Sequence, residues 1–472
     1  MKKTEPIHHI MKFGGSSVAT AERIRQVIEL IKAGRETNGN VAVVFSAFGG
    51  VTDSLIQIAH AASRHEAHYL DLLSKMEERH LAAVRALSHE GKNSSLLEED
   101  FIALREVLQG VYWVKELTLR SLDFISSFGE RLACRIITDA ANRAGLDAAM
   151  LDSRQVIKTD ESFGSASVLM QETFQLIQHY FADHTEMQII TGFIGSTLKN
   201  ETTTLGRGGS DYSAAILGAA LNVHEIEIWT DVDGVMTANP GKVKKAFPLE
   251  QISYEEAMEL SHFGAKVIYP PTMQPAMVKK IPIRIRNTFN PQFAGTLISA
   301  QSSPGRFLVK GISSISDVAL LLIKGSGMVG VSGIAGRLFT VLARHHINII
   351  LITQASSEHS ICIAVDPKSA EISRQIIEKE FELELYANRI DPVSEQIGLS
   401  IIAAVGEKMQ HATGLCGVLF QALGVNGINV VAIAQGSSEL NISIVINQAD
   451  EGKALNAIHE AFFAEAEKEV AW

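Results

Sequence analysis

The sequence predicts an α/β protein in which a mainly parallel sheet between helix layers is followed by two copies of a smaller βαββαβ unit. Three observations point there. Short apolar runs alternate with helix-like segments through the first two-thirds of the chain, glycine-rich turns follow several of those runs, and the last third repeats itself at an offset of 81 residues. Alternation of this kind packs helices over parallel strands. A repeat present only twice closes by pairing its copies rather than by stacking into a solenoid.

Taken in order, Ile10 to Phe13, Val41 to Phe45, Gln188 to Phe193 and Glu225 to Trp229 are apolar runs bounded by Gly or Thr and read as buried strands. Helical patterns lie between them at Ala21 to Ala33, Ser54 to Ser63 and Tyr212 to Leu221. Glu66 to Gly91 and Glu98 to Ser126, with Leu, Glu and Arg at three and four spacing, read as a helical insertion on that frame. The texture changes after Pro291, and the loop-like stretch Ala300 to Arg306 marks a boundary, so that the domains are expected at 1–300, 307–390 and 391–472. In the repeat, Gly325 matches Gly406, Met328 matches Met409, Gly333 matches Gly414, Phe339 matches Phe420 and Gln354 matches Gln435. The first copy reads as strand Val318–Ile323, helix Ile334–Arg344, strands Asn348–Thr353 and Ser360–Val365, helix Ala370–Phe381 and strand Glu384–Ala387. That is the order of a ferredoxin-like split βαβ sandwich.

A chain of 472 residues exceeds one compact core. Its 46% hydrophobic and 20% charged residues, with only 11 Pro, exclude disordered and collagen-like classes. With 42 Lys+Arg against 53 Asp+Glu the formal charge is −11, and the basic clusters Lys242/Lys244/Lys245 and Lys279/Lys280 are short. Neither nucleic acid nor a membrane surface is therefore an expected partner. Cys134, Cys362 and Cys416 are odd in number and scattered, which gives neither a disulfide framework nor a zinc site and fits a reducing cytoplasm. Glu5, Pro6 and His8-His9 interrupt any export signal at the start. The 30 residues from Met409 to Ser438 carry no formal charge, but Gln410, Gln421, Asn426, Asn429, Gln435 and several glycines break them into a helix and a strand rather than a membrane span. The 16 histidines include the pairs His8-His9 and His345-His346, which point in different directions and lack the spacing of a shared metal. No resident metal is expected.

Several segments carry chemistry. Lys12-Phe13-Gly14-Gly15-Ser16-Ser17 joins a strand to a helix, where glycines let backbone N–H groups approach an anion and Lys12 adds a mobile cation. Thr203-Thr204-Leu205-Gly206-Arg207-Gly208-Gly209-Ser210-Asp211 feeds another helix and combines a guanidinium fork for a carboxylate with backbone donors for a phosphoryl group, although Ser210 or Asp211 also serves as a plain helix cap. In Trp229-Thr230-Asp231-Val232-Asp233-Gly234, either Asp231 or Asp233 can face nucleotide or magnesium, and Asp-Gly is equally a turn. Phe263-Gly264-Ala265-Lys266 adds a lysine within reach of phosphates.

Together these segments closely resemble the aspartate kinases of the amino-acid kinase superfamily, through KFGGSSV at 12–18, FSAFGGVTD at 45–53, SFGERLA at 127–133, TTLGRGGSDYSAA at 203–215, WTDVDGV at 229–235 and FGAKV at 263–267. The repeat resembles their tandem ACT domains, so the resemblance covers nearly the whole chain. It implies an amino-acid kinase fold followed by two ACT domains, and transfer of the γ-phosphoryl of ATP, with Mg2+, to the side-chain carboxylate of L-aspartate. This is the first step towards lysine, threonine and methionine. By the same resemblance, Lys12, Arg207 and Asp211 are catalytic, with Asp211 orienting Lys12. Thr52, Glu130, Arg207 and Ser210 hold aspartate. Lys12, Gly14, Gly15, Ser16, Thr230, Asp231, Met236, Lys242 and Lys266 face ATP. Met236 and Gly241 depart from the Tyr and Arg that relatives often carry near the nucleotide.

An ACT pair implies an amino-acid effector and at least a homodimer, with Asn348, Gln354, Asn429 and Gln435 as candidate effector residues. Ile347 to Gln354 resembles the threonine-sensitive bifunctional aspartate kinase–homoserine dehydrogenases, whereas lysine-sensitive enzymes often carry Asp where Ile350 stands. Threonine is thus the preferred inhibitor and lysine the second. The chain ends at Trp472, directly after the repeat, so no dehydrogenase domain is expected to follow. The alternatives are a superfamily kinase acting on glutamate or carbamate and a non-catalytic ACT-type amino-acid sensor.

Overall fold

The structure, a computed structural model, describes residues 6–88, 94–263, 268–301, 307–354 and 359–464. It divides into two compact units, residues 1–235, 250–254 and 267–301 in one and residues 236–249, 255–266 and 302–472 in the other.

In the first unit the strands are β1 (His9–Phe13), β2 (Val41–Phe45), β3 (Ala148–Leu151), β4 (Lys158–Thr159), β5 (Met187–Thr191), β6 (Ile194–Thr197), β7 (Thr202–Thr204), β8 (Glu225–Thr230), β9 (Gln251–Ser253), β10 (Ile283–Asn287) and β11 (Thr296–Ser299). An 8-stranded sheet runs β3-β5-β2-β1-β8-β10-β11-β9, and β4, β6 and β7 form a small sheet of their own. Pairings from β3 across to β10 are parallel, and only β10/β11 is antiparallel. Buried between helix layers, β2 and β5 expose neither face to water, which is why they read as unbroken apolar runs. Phe13 stacks between Phe45 and Trp229, at 5.6 and 5.7 Å, and so locks β1 to both neighbours.

Helices α1 (Ala21–Asn38), α2 (Val51–Ser63), α3 (Tyr69–Leu87), α4 (Glu98–Val114), α5 (Leu119–Arg143), α6 (Met170–Asp183) and α7 (Gly209–Leu221) flank the sheet. The segment read from sequence as a helical insertion is integral to the core. Leu73 and Met76 of α3 and Phe101, Leu104 and Leu108 of α4 are buried in one cluster with Phe45, Leu55 and Phe128. Asp100, itself buried, ties α4 to α5 through Arg131 and Arg135, each at 2.5 Å. The order β2-β1-β8 makes the carboxyl end of β1 a point where the chain departs to either side, and such a point leaves a crevice.

Two helices follow, α8 (Tyr254–His262) and α9 (Pro270–Lys279). In the second unit, β12 (Gly311–Lys324), β13 (Leu351–Gln354), β14 (Ser360–Val365), β15 (Ser394–Val405), β16 (Val430–Ala434) and β17 (Asn441–Asn447) form a 6-stranded sheet in the order β13-β14-β12-β15-β17-β16. Its helices are α10 (Ile334–Arg344), α11 (Pro367–Glu380), α12 (Glu382–Tyr386), α13 (Leu415–Val425) and α14 (Glu451–Phe463).

The strand expected at Glu384–Ala387 is overturned, because those residues fall in and just after the short helix α12. Glu-Leu-Glu-Leu alternates like a strand. Arg337, however, bonds Glu380 at 2.9 Å and Glu384 at 2.6 Å, and this holds the chain in helical register beyond α11. The two long strands then serve both copies. Residues Leu320 to Leu322 of β12 pair with Gln396 to Ser394 of β15, while Gly311 to Ile315 pair with Val405 to Ile401. The first copy therefore takes its closing strand from the start of β15, and the second takes its own from the start of β12, ahead of the first copy in sequence.

Candidate active site

Lys12 stands on β1 at the carboxyl edge of the sheet, and the turn that follows it is shaped by close backbone approach. An added Cβ on Gly15 would lie 2.7 Å from the Ala47 carbonyl oxygen, and the Gly49 N–H donates to the Gly15 carbonyl at 3.0 Å. Glycine is thus required at 15 so that the turns after β1 and β2 can touch.

Across the crevice, Gly206 and Gly208 adopt left-handed φ angles of +71° and +70° on either side of Arg207. The chain then enters α7, whose first turn carries Ser210 and Asp211. The Lys12 Nζ lies 2.5 Å from Asp211 Oδ1, with both side chains largely buried. The carboxylate holds the ammonium at the amino end of α7, where helix dipole and lysine together present positive charge to an anion.

Glu130, midway along α5, is only 2% exposed. One oxygen accepts the Ala47 N–H at 3.1 Å, and Oε2 has no hydrogen-bond partner among the described residues. Burial pushes its carboxyl up to about 8, against the smaller stabilising effect of the Ala47 amide. A buried carboxyl with one empty oxygen is suited to a cationic partner. Arg207 is exposed, and among the described residues no ion pair engages it; its guanidinium lies 5.4 Å from the Tyr269 ring.

One cavity of about 330 Å³ gathers Lys12, Thr52, Glu130, Arg207, Ser210 and Asp211, together with Ser46, Phe193 and the glycines at 206, 208 and 209. Sequence reasoning missed Ser46 and Phe193. Phe193 holds a left-handed φ of 68°, rare for a bulky residue, with its N–H on Ser213 Oγ and its carbonyl accepting from Leu205. The only signal for it in the sequence was the Gly192-Phe193 pair at the end of an apolar run.

Gly14, Gly15 and Ser16 form the adjoining turn, tied to β8 by the Gly14 N–H on the Trp229 carbonyl. Thr230 and Asp231 follow at the end of that strand, with Thr230 Oγ1 donating to Asp231 at 3.2 Å. Asp233 is occupied by the Asn287 and Asn290 amides at 2.8 and 3.0 Å, so Asp231 is the exposed carboxylate of the pair. Met236 and Lys242 belong to the second unit, where Lys242 Nζ bonds Glu451 at 2.5 Å and Ser316 at 2.8 Å. Lys266 lies outside the described residues.

Among the described residues, the one His and acid group compact enough for a metal ion is His9, Glu225 and Glu227. It begins at the opposite end of β1 and β8, and its carboxylates are already bonded by Arg284 and Arg286.

In the second unit, a cavity of about 500 Å³ is lined by Gln354 and Gln435 with Ile350, Thr353, Asn441 and Ser443. The Thr353 hydroxyl donates to the Ile433 carbonyl at 3.0 Å and so joins the two edge strands beside it. Asn348 and Asn429 are exposed and do not line this cavity.

The sequence profile of the Amino acid kinase family matches residues 9–287, and that of the ACT domain matches 321–381 and 402–462. A bifunctional aspartokinase/homoserine dehydrogenase 1 of Arabidopsis thaliana is 38% identical over 464 residues, covering 96% of this chain and 51% of its own. This chain thus spans about half the length of such bifunctional relatives. Aspartokinase 1 of the same plant is 34% identical and is covered over 83% of its length, against 98% of this chain. The crystal structure of E. coli aspartokinase III in complex with aspartate and ADP superposes with a TM-score of 0.81 at 26% identity, covering 97% of this chain and 100% of that one. Among the described residues, no helix is long and apolar enough to cross a membrane.

Proposed function

The chain belongs to the amino acid kinase family, in its aspartokinase branch, and from that premise we propose that it transfers the γ-phosphoryl group of ATP to the side-chain carboxylate of L-aspartate, giving 4-phospho-L-aspartate and ADP. The observation that carries this reading is the single cavity in which the Lys12–Asp211 pair, the half-empty Glu130 carboxyl and the exposed Arg207 converge.

Aspartate's side chain, with an ordinary pKa of about 3.9, is ionised at neutral pH and needs no general base. The difficulty is to bring two anions together. Arg207 grips a carboxylate of the acceptor by its guanidinium fork, Glu130 takes the ammonium, and Thr52 and Ser210 complete the pocket. Lys12, held by Asp211 at the amino end of α7, neutralises charge on the phosphoryl group in transit, and Gly14, Gly15 and Ser16 supply backbone donors. Thr230 and Asp231 face the nucleotide, which arrives with Mg2+; the exposed Asp231 carboxylate would hold the ion, whose charge would offset that of the phosphates.

ADP release should be observed with aspartate and be absent with glutamate or with no acceptor, and hydroxylamine should trap the acyl phosphate as its hydroxamate. Release with glutamate would move the chain to another acceptor. No release with any acceptor, together with retained effector binding, would make it a sensor.

The cavity at Gln354 and Gln435 is the effector site of this reading, and it takes threonine before lysine. Among the described residues its lining contains no carboxylate for a lysine ammonium, and Ile350 is part of that wall. Gln354→Ala or Gln435→Ala is expected to raise the half-inhibitory threonine concentration about tenfold, the cost of an amide hydrogen bond to a charged ligand, with the uninhibited rate unchanged. Unchanged dose–response curves in both variants would remove the site. A homo-oligomer formed through the ACT region, a cytoplasmic location and a role as the first step towards lysine, threonine and methionine belong to the same proposal. The three free cysteines are consistent with a reducing compartment.

A further inference from the structure

Asp123 lies on α5, seven residues before Glu130, so the two sit on one face about 10 Å apart along the helix. It is 3% exposed, and among the described residues no cation pairs with it. Instead, Asp123 Oδ2 accepts the Gly164 N–H at 2.8 Å and the Thr204 N–H at 3.1 Å, while Oδ1 accepts the Thr204 hydroxyl at 2.7 Å. These donors belong to two separate segments that meet at the Arg207 turn. Thr204 ends β7, two residues before Gly206. Gly164 precedes Ser165, whose Oγ would lie 2.8 Å from a Cβ added to Gly206. The Ala166 N–H closes the arrangement on the Thr204 carbonyl at 2.9 Å. On the exposed side, Arg120 of the same helix pairs with Glu201 at 3.0 Å.

The geometry points to Asp123 as a positioning residue for the acceptor pocket: it clamps the strand and the loop that enclose the Gly206–Arg207–Gly208 turn and sets that turn at a fixed distance along α5 from Glu130. One rigid helix thereby determines the spacing between the group assigned to the acceptor's carboxylate and the group assigned to its ammonium, through Asp123 at one end and the Glu130–Ala47 bond at the other. Buried acceptors that gather several donors hold backbone more firmly than packing alone, because each lost bond leaves a desolvated group behind. Asp123 touches neither substrate. Its action passes through Thr204 and Gly164 to Arg207. The inference rests on the aspartate kinase reading for its functional consequence and on hydrogen bonding alone for its structural one.

The test uses the full chain with three substitutions, Asp123→Ala, Asp123→Asn and Thr204→Val. Steady-state kinetics in aspartate and in MgATP are read beside hydrogen–deuterium exchange of peptides covering 202–210 and 46–53. Asp123→Ala is expected to raise the KM for aspartate about tenfold while the KM for MgATP stays within about twofold, and to accelerate exchange at 205–209 but not at 46–53. The isosteric Asp123→Asn keeps an oxygen for the two N–H groups and recovers most of the affinity for aspartate; Thr204→Val, which deletes one of the three bonds, falls between. If Asp123→Ala does not fold, the other two variants carry the comparison. Parallel rises in both KM values with a lowered Tm, or unchanged exchange at 205–209, would overturn the assignment. Absence of aspartate-dependent turnover in the unsubstituted protein would defeat the functional reading, while the exchange comparison still decides whether Asp123 holds the turn.

Discussion

Lys12→Met is expected to lower kcat by about 10²–10³ with the fold retained, the scale seen when one preorganised electrostatic contact to a developing charge is removed. Methionine keeps the length and apolar stem of lysine, so packing on β1 is preserved and the loss reports the ammonium itself. Lys12 as a whole is only 8% exposed, and its ammonium is held 2.5 Å from Asp211. In such surroundings its field at a transferring phosphoryl group is weakly screened. Lys12→Arg should not restore activity, because a planar guanidinium cannot occupy the point where Asp211 holds a compact cation. Single-turnover rates at saturating aspartate and MgATP, with a thermal melt beside them, make the measurement. A kcat within threefold of the unsubstituted chain in Lys12→Met would remove Lys12 from the chemistry.

Aspartate binding should release close to one proton at pH 7, and its affinity should rise by roughly tenfold per pH unit up to about 8 and then level. The cause is Glu130, whose carboxyl burial pushes up to about 8 in the free protein. An incoming ammonium favours the carboxylate, so binding expels the proton that burial had retained. Calorimetric titration in buffers of different ionisation enthalpy counts that proton directly, free of any pH effect on the nucleotide. Glu130→Gln should abolish the release and weaken aspartate binding, and an unsubstituted chain that binds aspartate at pH 7 without releasing a proton would refute the pairing. The same shift has a consequence for stability. Between the ordinary carboxylate value near 4.5 and about 8, the folded chain binds a proton that the unfolded chain has lost. The Glu130 contribution is therefore complete below that window and declines as pH rises through it.

Much of the site was legible because its requirements are local. A turn that must bring backbone N–H groups to an anion needs glycine whatever surrounds it, and Gly15, Gly206 and Gly208 announce such turns in the bare sequence. Lys12 and Asp211 stand 199 residues apart, and the resemblance paired them before the structure placed them in contact. Ser46, Phe193 and Asp123 carried no comparable signal, since a half-buried serine, a strained phenylalanine and a helix aspartate acquire their roles only from what the fold sets opposite them. Glu384 shows the converse. Its alternating neighbours read as a strand, but an arginine 47 residues away holds it in a helix. Local pattern is a weak prior where a tertiary ion pair competes with it.

Composition, periodicity and the 81-residue offset were enough to determine the α/β class, the largely parallel first sheet and the presence of a doubled unit at the end, because hydrophobic alternation follows from which faces a strand or helix must bury. Tertiary structure alone decided that β12 and β15 each serve both copies, that α3 and α4 complete the main core, and that the Gln354 and Gln435 side chains share one cavity while Asn348 and Asn429 do not. Those outcomes depend on which hydrogen-bonding edge meets which, and an unpaired edge will accept any strand of suitable register, so the choice is made by the whole chain and not by the segment.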